Sequence, residues 1–166
     1  MEGSEMEGGE MEGGEMKGGE MENHLINRNS RSESVVYGCI KNIVTDDLNR
    51  HRFHNRDAMQ ALPSAETWSL VNREMFSLHD PGVADFSLNT EVVHFGASYQ
   101  GVEHEWRCWL EQFESLLRKM YWVSATVHLE TEMSGLHSFV FATDGAGHQP
   151  DQSDIQIRCE WVRDLG

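Results

Sequence analysis

The run from Val102 to Leu129 constrains the fold more than any other part of this chain. Val102, Trp106, Trp109, Leu110, Phe113, Leu116, Leu117 and Met120 recur at helical spacing, so a helix over Val102–Met120 carries them as one apolar stripe. Directly afterwards Val123, Ala125, Val127 and Leu129 alternate with Ser124, Thr126, His128 and Glu130, the period of a strand with one wet face. A helix stripe followed at once by an apolar strand face buries both by stacking one on the other. That demands a two-layer α/β core.

The rest of the chain supplies the other elements. Val35 to Val44 is rich in β-formers, is interrupted at Gly38, and predicts the first strand. Thr45-Asp46-Asp47 is a helix-start signal, and the weakly amphipathic stretch Leu48–Leu62 after it stops at Pro63. Ser64 opens a second start signal. Trp68, Val71 and Met75 then predict a short helix to Phe76, with a strand over Thr67–Phe76 as the alternative reading. Asp80-Pro81-Gly82 marks a turn. Glu91 to Tyr99 alternates, with Val93, Phe95, Ala97 and Tyr99 on one side and Val92, His94 and Ser98 on the other, until Gly101 breaks it. Past the Trp122–Thr131 strand, the tight turn Met133-Ser134-Gly135 leads to a hairpin partner over His137–Thr143. Asp144–Asp154, with Gly145, Gly147 and Pro150, predicts an exposed loop, and Ile155, Ile157, Cys159 and Trp161 predict the last strand. The expected fold is α+β: a mostly antiparallel sheet of about five strands, the 102–120 helix on one face, and one or two short helices between the first and second strands.

Residues 1–22 stand apart, as repeats of Met-Glu-Gly-Gly-Glu broken only by Ser4 and Lys17. Such a segment buries too little apolar surface to offset its ordering entropy, so disorder is expected there. Residues 23–34 read as a polar lead-in, and 35–166 as a single α+β domain.

The formal net charge of the chain is −15, of which the repeat supplies −7 through eight Glu and one Lys. The remainder is polarised. Residues 23–60 hold six Lys/Arg against four Asp/Glu, and residues 61–166 hold six against sixteen. An acidic main body repels phosphates, which excludes nonspecific nucleic-acid binding and favours a basic partner. No apolar run approaches the roughly 18 residues that a membrane span needs. The acidic, Gly-rich N-terminus carries no apolar secretion signal. Cys39, Cys108 and Cys159 are odd in number and far apart, as in a reducing compartment, so a cytoplasmic protein is expected.

Candidate chemistry is sparse. Gly96-Ala97-Ser98-Tyr99-Gln100-Gly101 sits where nucleophile elbows and phosphate loops sit, but its second Gly comes one residue late for an elbow. Glu103 and Glu105 already complement the positive end of the following helix, so an anion there meets two carboxylates. A turn into the helix accounts for the motif better. His51 and His54 share a helical face, yet no further ligand pair follows from spacing, and Arg50, Arg52 and Arg56 around them disfavour a cation. A solvated basic face is expected there instead. Cys108 falls off the apolar stripe among non-basic neighbours, so it is expected exposed and unactivated, and Cys159 shares the core phase of Ile157 and Trp161. No metal or cofactor site emerges.

Three functional readings remain. In the first, a small acidic protein binds by occlusion, as toxin-immunity proteins and antitoxins do, steering a basic partner onto its carboxylates. Its contact surface is the polar sheet face, with Trp122 as aromatic centre, His128, Glu130, Glu132 and Glu160 around it, and Glu103 and Glu105 at the rim. In the second, a small enzyme or ligand-binding domain uses His94, His128 and Glu130, which requires their strands to be neighbours. In the third, the chain is a structural subunit that docks through its helix or the Arg50–Arg56 segment. The first is favoured because the other two need a site that the spacing does not supply.

Overall fold

A computed structural model of the chain describes residues 32–43, 48–78, 90–143, 145–152 and 155–161, without the side chains of residues 48, 49 and 159–161. The chain divides into Met1–Arg31 and Ser32–Gly166. The repeat, the Thr45-Asp46-Asp47 start signal and the Asp80-Pro81-Gly82 turn lie outside the described residues.

In chain order the elements are β1 (Glu33–Ile43), helix α1 (Leu48–Gln60), 3-10 turns at Ala65–Thr67 and Arg73–Met75, and β2 (Thr90–Gln100). A 3-10 turn at Val102–Glu105 then feeds α2 (Trp106–Leu117), followed by β3 (Ser124–Thr131), β4 (Gly135–Thr143) and β5 (Ile155–Trp161). The five strands form one sheet in the order β2-β1-β3-β4-β5, with every neighbouring pair antiparallel. The α+β expectation is met. β1 already includes Glu33 and Ser34, which the polarity of the lead-in had hidden.

One face of the sheet holds the core. Val36 and Ile40 of β1, Val93 and Phe95 of β2, Ala125, Val127 and Leu129 of β3 and Phe141 of β4 are all buried against Trp109, Phe113, Leu116 and Leu117 of α2. Aromatic rings tie the two layers together: Phe113 lies 5.0 Å from Phe95 and 5.3 Å from Phe141, centroid to centroid. Such pairs contribute about 0.5–1.5 kcal/mol each beyond the area they bury. Trp106 stacks on Trp109 at 4.9 Å and reaches Phe139, so both tryptophans are core, as their spacing implied.

Gly101 caps the 3-10 turn that leads into α2, in the left-handed region (φ 71) where a residue without Cβ is least hindered, and its N–H donates to Ser32 O. Gly38 does not interrupt β1. It faces the core, and the Phe95 ring lies over the space a side chain would take.

Between β1 and β2 the chain departs from expectation. Helix α1 ends at Gln60, ahead of Pro63 as predicted, and Ser64 caps the next turn by accepting from Glu66 N–H at 3.3 Å. That turn stops after Thr67, however. Residues 68–72 run as a loop held by side-chain hydrogen bonds rather than as a helix or strand. Further on, Phe76 makes a single bridge to Phe95, and Ser77 N–H donates to His94 O at 2.8 Å, covering part of the outer edge of β2.

The Asp144–Asp154 loop is also more than an exposed connection. His148 within it is buried, bridges to Trp122, and holds Met120 O (2.9 Å) and Gln152 O (3.0 Å) with its two ring nitrogens. Glycine and proline announce a loop, but they do not show whether it folds back onto the core.

Candidate interaction face

Strand alternation places a second set of side chains on the side away from α1 and α2, and the register orders them in rows. Tyr37 lies between Gly96 on β2 and His128 on β3, and His128 lies opposite Ser138 on β4. One row towards the start of β1, Val35 pairs with Ser98 and Glu130, and Glu130 pairs with Leu136. Glu33 follows, opposite Gln100. In the other direction Cys39 pairs with His94 and Thr126, and Val140 with Arg158, before Lys41 closes the face. Among the described residues no helix lies on this side.

Tyr37 forms the centre. The residue is 37% exposed and its ring meets the His128 imidazole at 5.0 Å, while His128 Nδ1 shares a 2.8 Å hydrogen bond with Ser138 Oγ. Gly96 has no side chain, which leaves Tyr37 open towards β2. Charge is distributed along the strands. Exposed Glu33 and Glu130 mark one end, Glu132 stands exposed in the adjoining β3–β4 turn, and Lys41 and Arg158 mark the other end. Glu160 occupies a backbone position on β5 opposite Ser138; its side chain lies outside the described residues, as does that of Cys159.

Trp122 does not belong to this face. It is fully buried, donates from Nε1 to Leu117 O at 2.8 Å, and stacks on His148. The phase argument fails because β3 begins at Ser124: Val123 is a bend, and the two-residue period does not carry back through it. The aromatic on the open face is Tyr37, whose alternation with buried Val36 was the available signal.

Glu103 and Glu105 also leave the proposed rim. They sit in the turn that opens α2, on the helical layer. The Glu103 carboxylate accepts from Ser32 Oγ at 2.6 Å and Ser34 Oγ at 2.5 Å, and Ser34 is a buried, core-facing residue of β1. These two hydroxyls hold the Glu103 carboxyl below its ordinary titration range.

His94 and His128 are not neighbours, because β1 runs between β2 and β3. Their rows differ as well: His94 is opposite Cys39, and His128 is opposite Tyr37. The shared acid–base site required by the second reading does not form. No group of three or more metal-ligating side chains is found among the described residues.

The Arg50–Arg56 segment is a docking surface for the chain's own core rather than a wholly solvated face. His51 stacks on Tyr121 at 3.7 Å, and His54 Nε2 donates to Lys119 O at 2.8 Å. Asn55, fully buried, clamps Tyr121 by donating to its carbonyl (2.9 Å) and accepting from its N–H (2.8 Å). Asn55 also donates to Glu91 Oε2 at 3.4 Å. Glu91 pairs across the sheet with buried Asn42. Burial pushes the Glu91 carboxyl up, against the opposing pull of the Arg52 guanidinium and of Asn42 and Asn55.

Fold and face together define a two-layer α+β protein with helices on one side of its sheet. Compared with protein-family models, curated proteins and solved structures, the chain matches none of them. None of the helices described is long and apolar enough to cross a membrane.

Proposed function

We propose that this chain is a small acidic binding protein of the cytoplasm that occludes a basic protein partner, in the manner of toxin-immunity proteins and antitoxins. The observation that carries the reading is the sheet face on which no described helix lies, with half-open Tyr37 beside His128 and with Glu33, Glu130 and Glu132 gathered at one end. An aromatic anchor beside carboxylates suits a partner that presents Lys or Arg. The ring face attracts the cation, and the carboxylates steer its approach. The net charge of −15 acts in the same direction at longer range.

The test uses the full chain as bait in a lysate of its native host, followed by affinity measurement on whatever basic protein is retained. Reversing Glu130 and Glu132 together to Lys should weaken that complex by about tenfold or more and flatten its salt dependence. Unchanged affinity in the double reversal would refute the proposal. Neither carboxylate is buried, so the variant keeps the core intact.

A further inference from the structure

On the open sheet face the aromatic anchor touches a group that can change its charge. The His128 imidazole lies 5.0 Å from the Tyr37 ring, centroid to centroid, with the two planes tilted by 34°. That is inside the roughly 6 Å over which an aromatic face attracts a cation. His128 is half-buried, so solvent protons reach it. Its Nδ1 shares the 2.8 Å hydrogen bond with Ser138 Oγ. A hydroxyl can donate to a neutral imidazole nitrogen or accept from a protonated one. Ser138 therefore holds the ring against Tyr37 in either state, and a change of charge needs no rearrangement of the strands.

The charge decides what else the Tyr37 ring can take. Histidine is the side chain whose charge changes between about pH 5 and 8. As an imidazolium, His128 is itself the cation beside Tyr37, with the Glu130 carboxylate in the adjoining row of the same face. An incoming Lys or Arg would use the same two groups. The other groups that face His128 are few. β1 brings the Tyr37 phenol opposite it and the Cys39 thiol one row away, with Glu33 and Lys41 further off at either end. β4 brings Leu136, Ser138 and Val140, none of them charged. Beyond these strands, β2 carries His94 in the Cys39 row, and β5 carries Arg158 and the backbone position of Glu160.

We propose that His128 makes this face pH-responsive: neutral, it leaves the place between Tyr37 and Glu130 to a Lys or Arg of the partner, and charged, it takes that place itself and repels the partner's cation. The inference rests on the sheet-face reading and adds its regulation. Its direction follows from linkage. Binding a cation favours neutral His128, so affinity is complete above the histidine range and is lost as pH falls through it. Between partly exposed like charges in contact, the loss is about tenfold.

The probe is a hexa-arginine peptide with blocked ends, titrated into the full chain and read through the NMR signals of the Tyr37 ring. Those signals report the sheet face apart from any peptide held by the acidic repeat. The Kd at Tyr37 should rise about tenfold from about pH 7.5 to about pH 5.5, both above the ordinary carboxylate range. In His128→Gln the ratio of the two Kd values should fall below about twofold, whereas His94→Gln should keep it. The parent gives a second reading by reciprocity. The midpoint of the His128 Cε1–H titration should drop by about one pH unit when the peptide is saturating. No response of Tyr37 at about pH 7.5 would sink the sheet-face reading together with its regulation. Equal Kd values at the two pH values, a pH dependence that survives His128→Gln, or an unmoved midpoint overturns the role of His128 alone.

Discussion

Gly38 shows how much a missing side chain can determine. A Cβ there would stand 2.0 Å from the Thr126 carbonyl oxygen and 2.7 Å from Phe95 Cζ. The neighbours are β3 backbone and a ring wedged between β2 and α2, so nothing flexible is available to move aside. Gly38→Ala should therefore destabilise the fold by about 1–3 kcal/mol or more, even though alanine usually suits a strand interior better than glycine. Urea unfolding measures this, and an unchanged midpoint would mean that Phe95 does not pack over the site. In sequence, Gly38 reads as a break in a strand. Only the β1–β3 and β1–β2 registers reveal it as the place where an aromatic lies on bare backbone.

Helix α2 ends in a way that its own residues cannot explain. No glycine closes it: the N–H groups of Arg118, Lys119 and Met120 fold back onto Glu114, Leu116 and Leu117 O, and the carbonyls from Leu117 to Met120 are each met from elsewhere. Trp122 Nε1 donates to Leu117 O, Asp151 N–H to Arg118 O, and His54 Nε2 to Lys119 O, while a ring nitrogen of His148 holds Met120 O. Four partners from three separate segments thus do what a local cap does elsewhere. The His148 ring ties the loop to Met120 O and closes it internally on Gln152 O, so His148→Ala should leave the buried Met120 carbonyl contact unmet. A cost of about 1–3 kcal/mol follows, together with faster amide exchange through residues 145–152. Amide exchange no faster there than in the parent would show that the loop holds without the imidazole. The same logic separates the two helices. α2 was legible because its stripe is strong, whereas α1 docks through polar Asn55 and stacked His51, a bond pattern that hydrophobic periodicity does not register.

Across the molecule, two carboxylates on the helical side oppose each other in their response to pH. Hydroxyl donors lower the Glu103 carboxyl, so its stabilisation is present above the ordinary carboxylate range and is lost as pH falls through its folded value. Burial raises the Glu91 carboxyl, so its contribution is present below that range and is lost as pH rises through its folded value. Ser34→Ala, which removes a donor to Glu103, should cost about 1 kcal/mol near neutrality and progressively less in acid. Glu91→Gln should behave in the opposite sense, comparing better with the parent as pH rises through the carboxylate range. Chemical unfolding across that range separates the two, and parallel curves for both variants would contradict the assigned environments.

The sequence by itself determined the two-layer plan, because the period of the apolar residues is a local property. Period 3.6 over Val102–Met120 and period 2 over β2 and β3 must each bury one side, whatever lies elsewhere. It equally determined the acidity and the exposure of Glu130. What the tertiary structure decided is who stands beside whom. β1 inserts between β2 and β3, separating His94 from His128 and bringing Tyr37 onto His128. The bend at Val123 turns Trp122 into the core, and hydrogen bonds from distant residues hold the loop that displays Trp68 in water. Strand order, loop docking and side-chain hydrogen bonds join residues far apart in the chain, and spacing along the chain carries no record of such contacts.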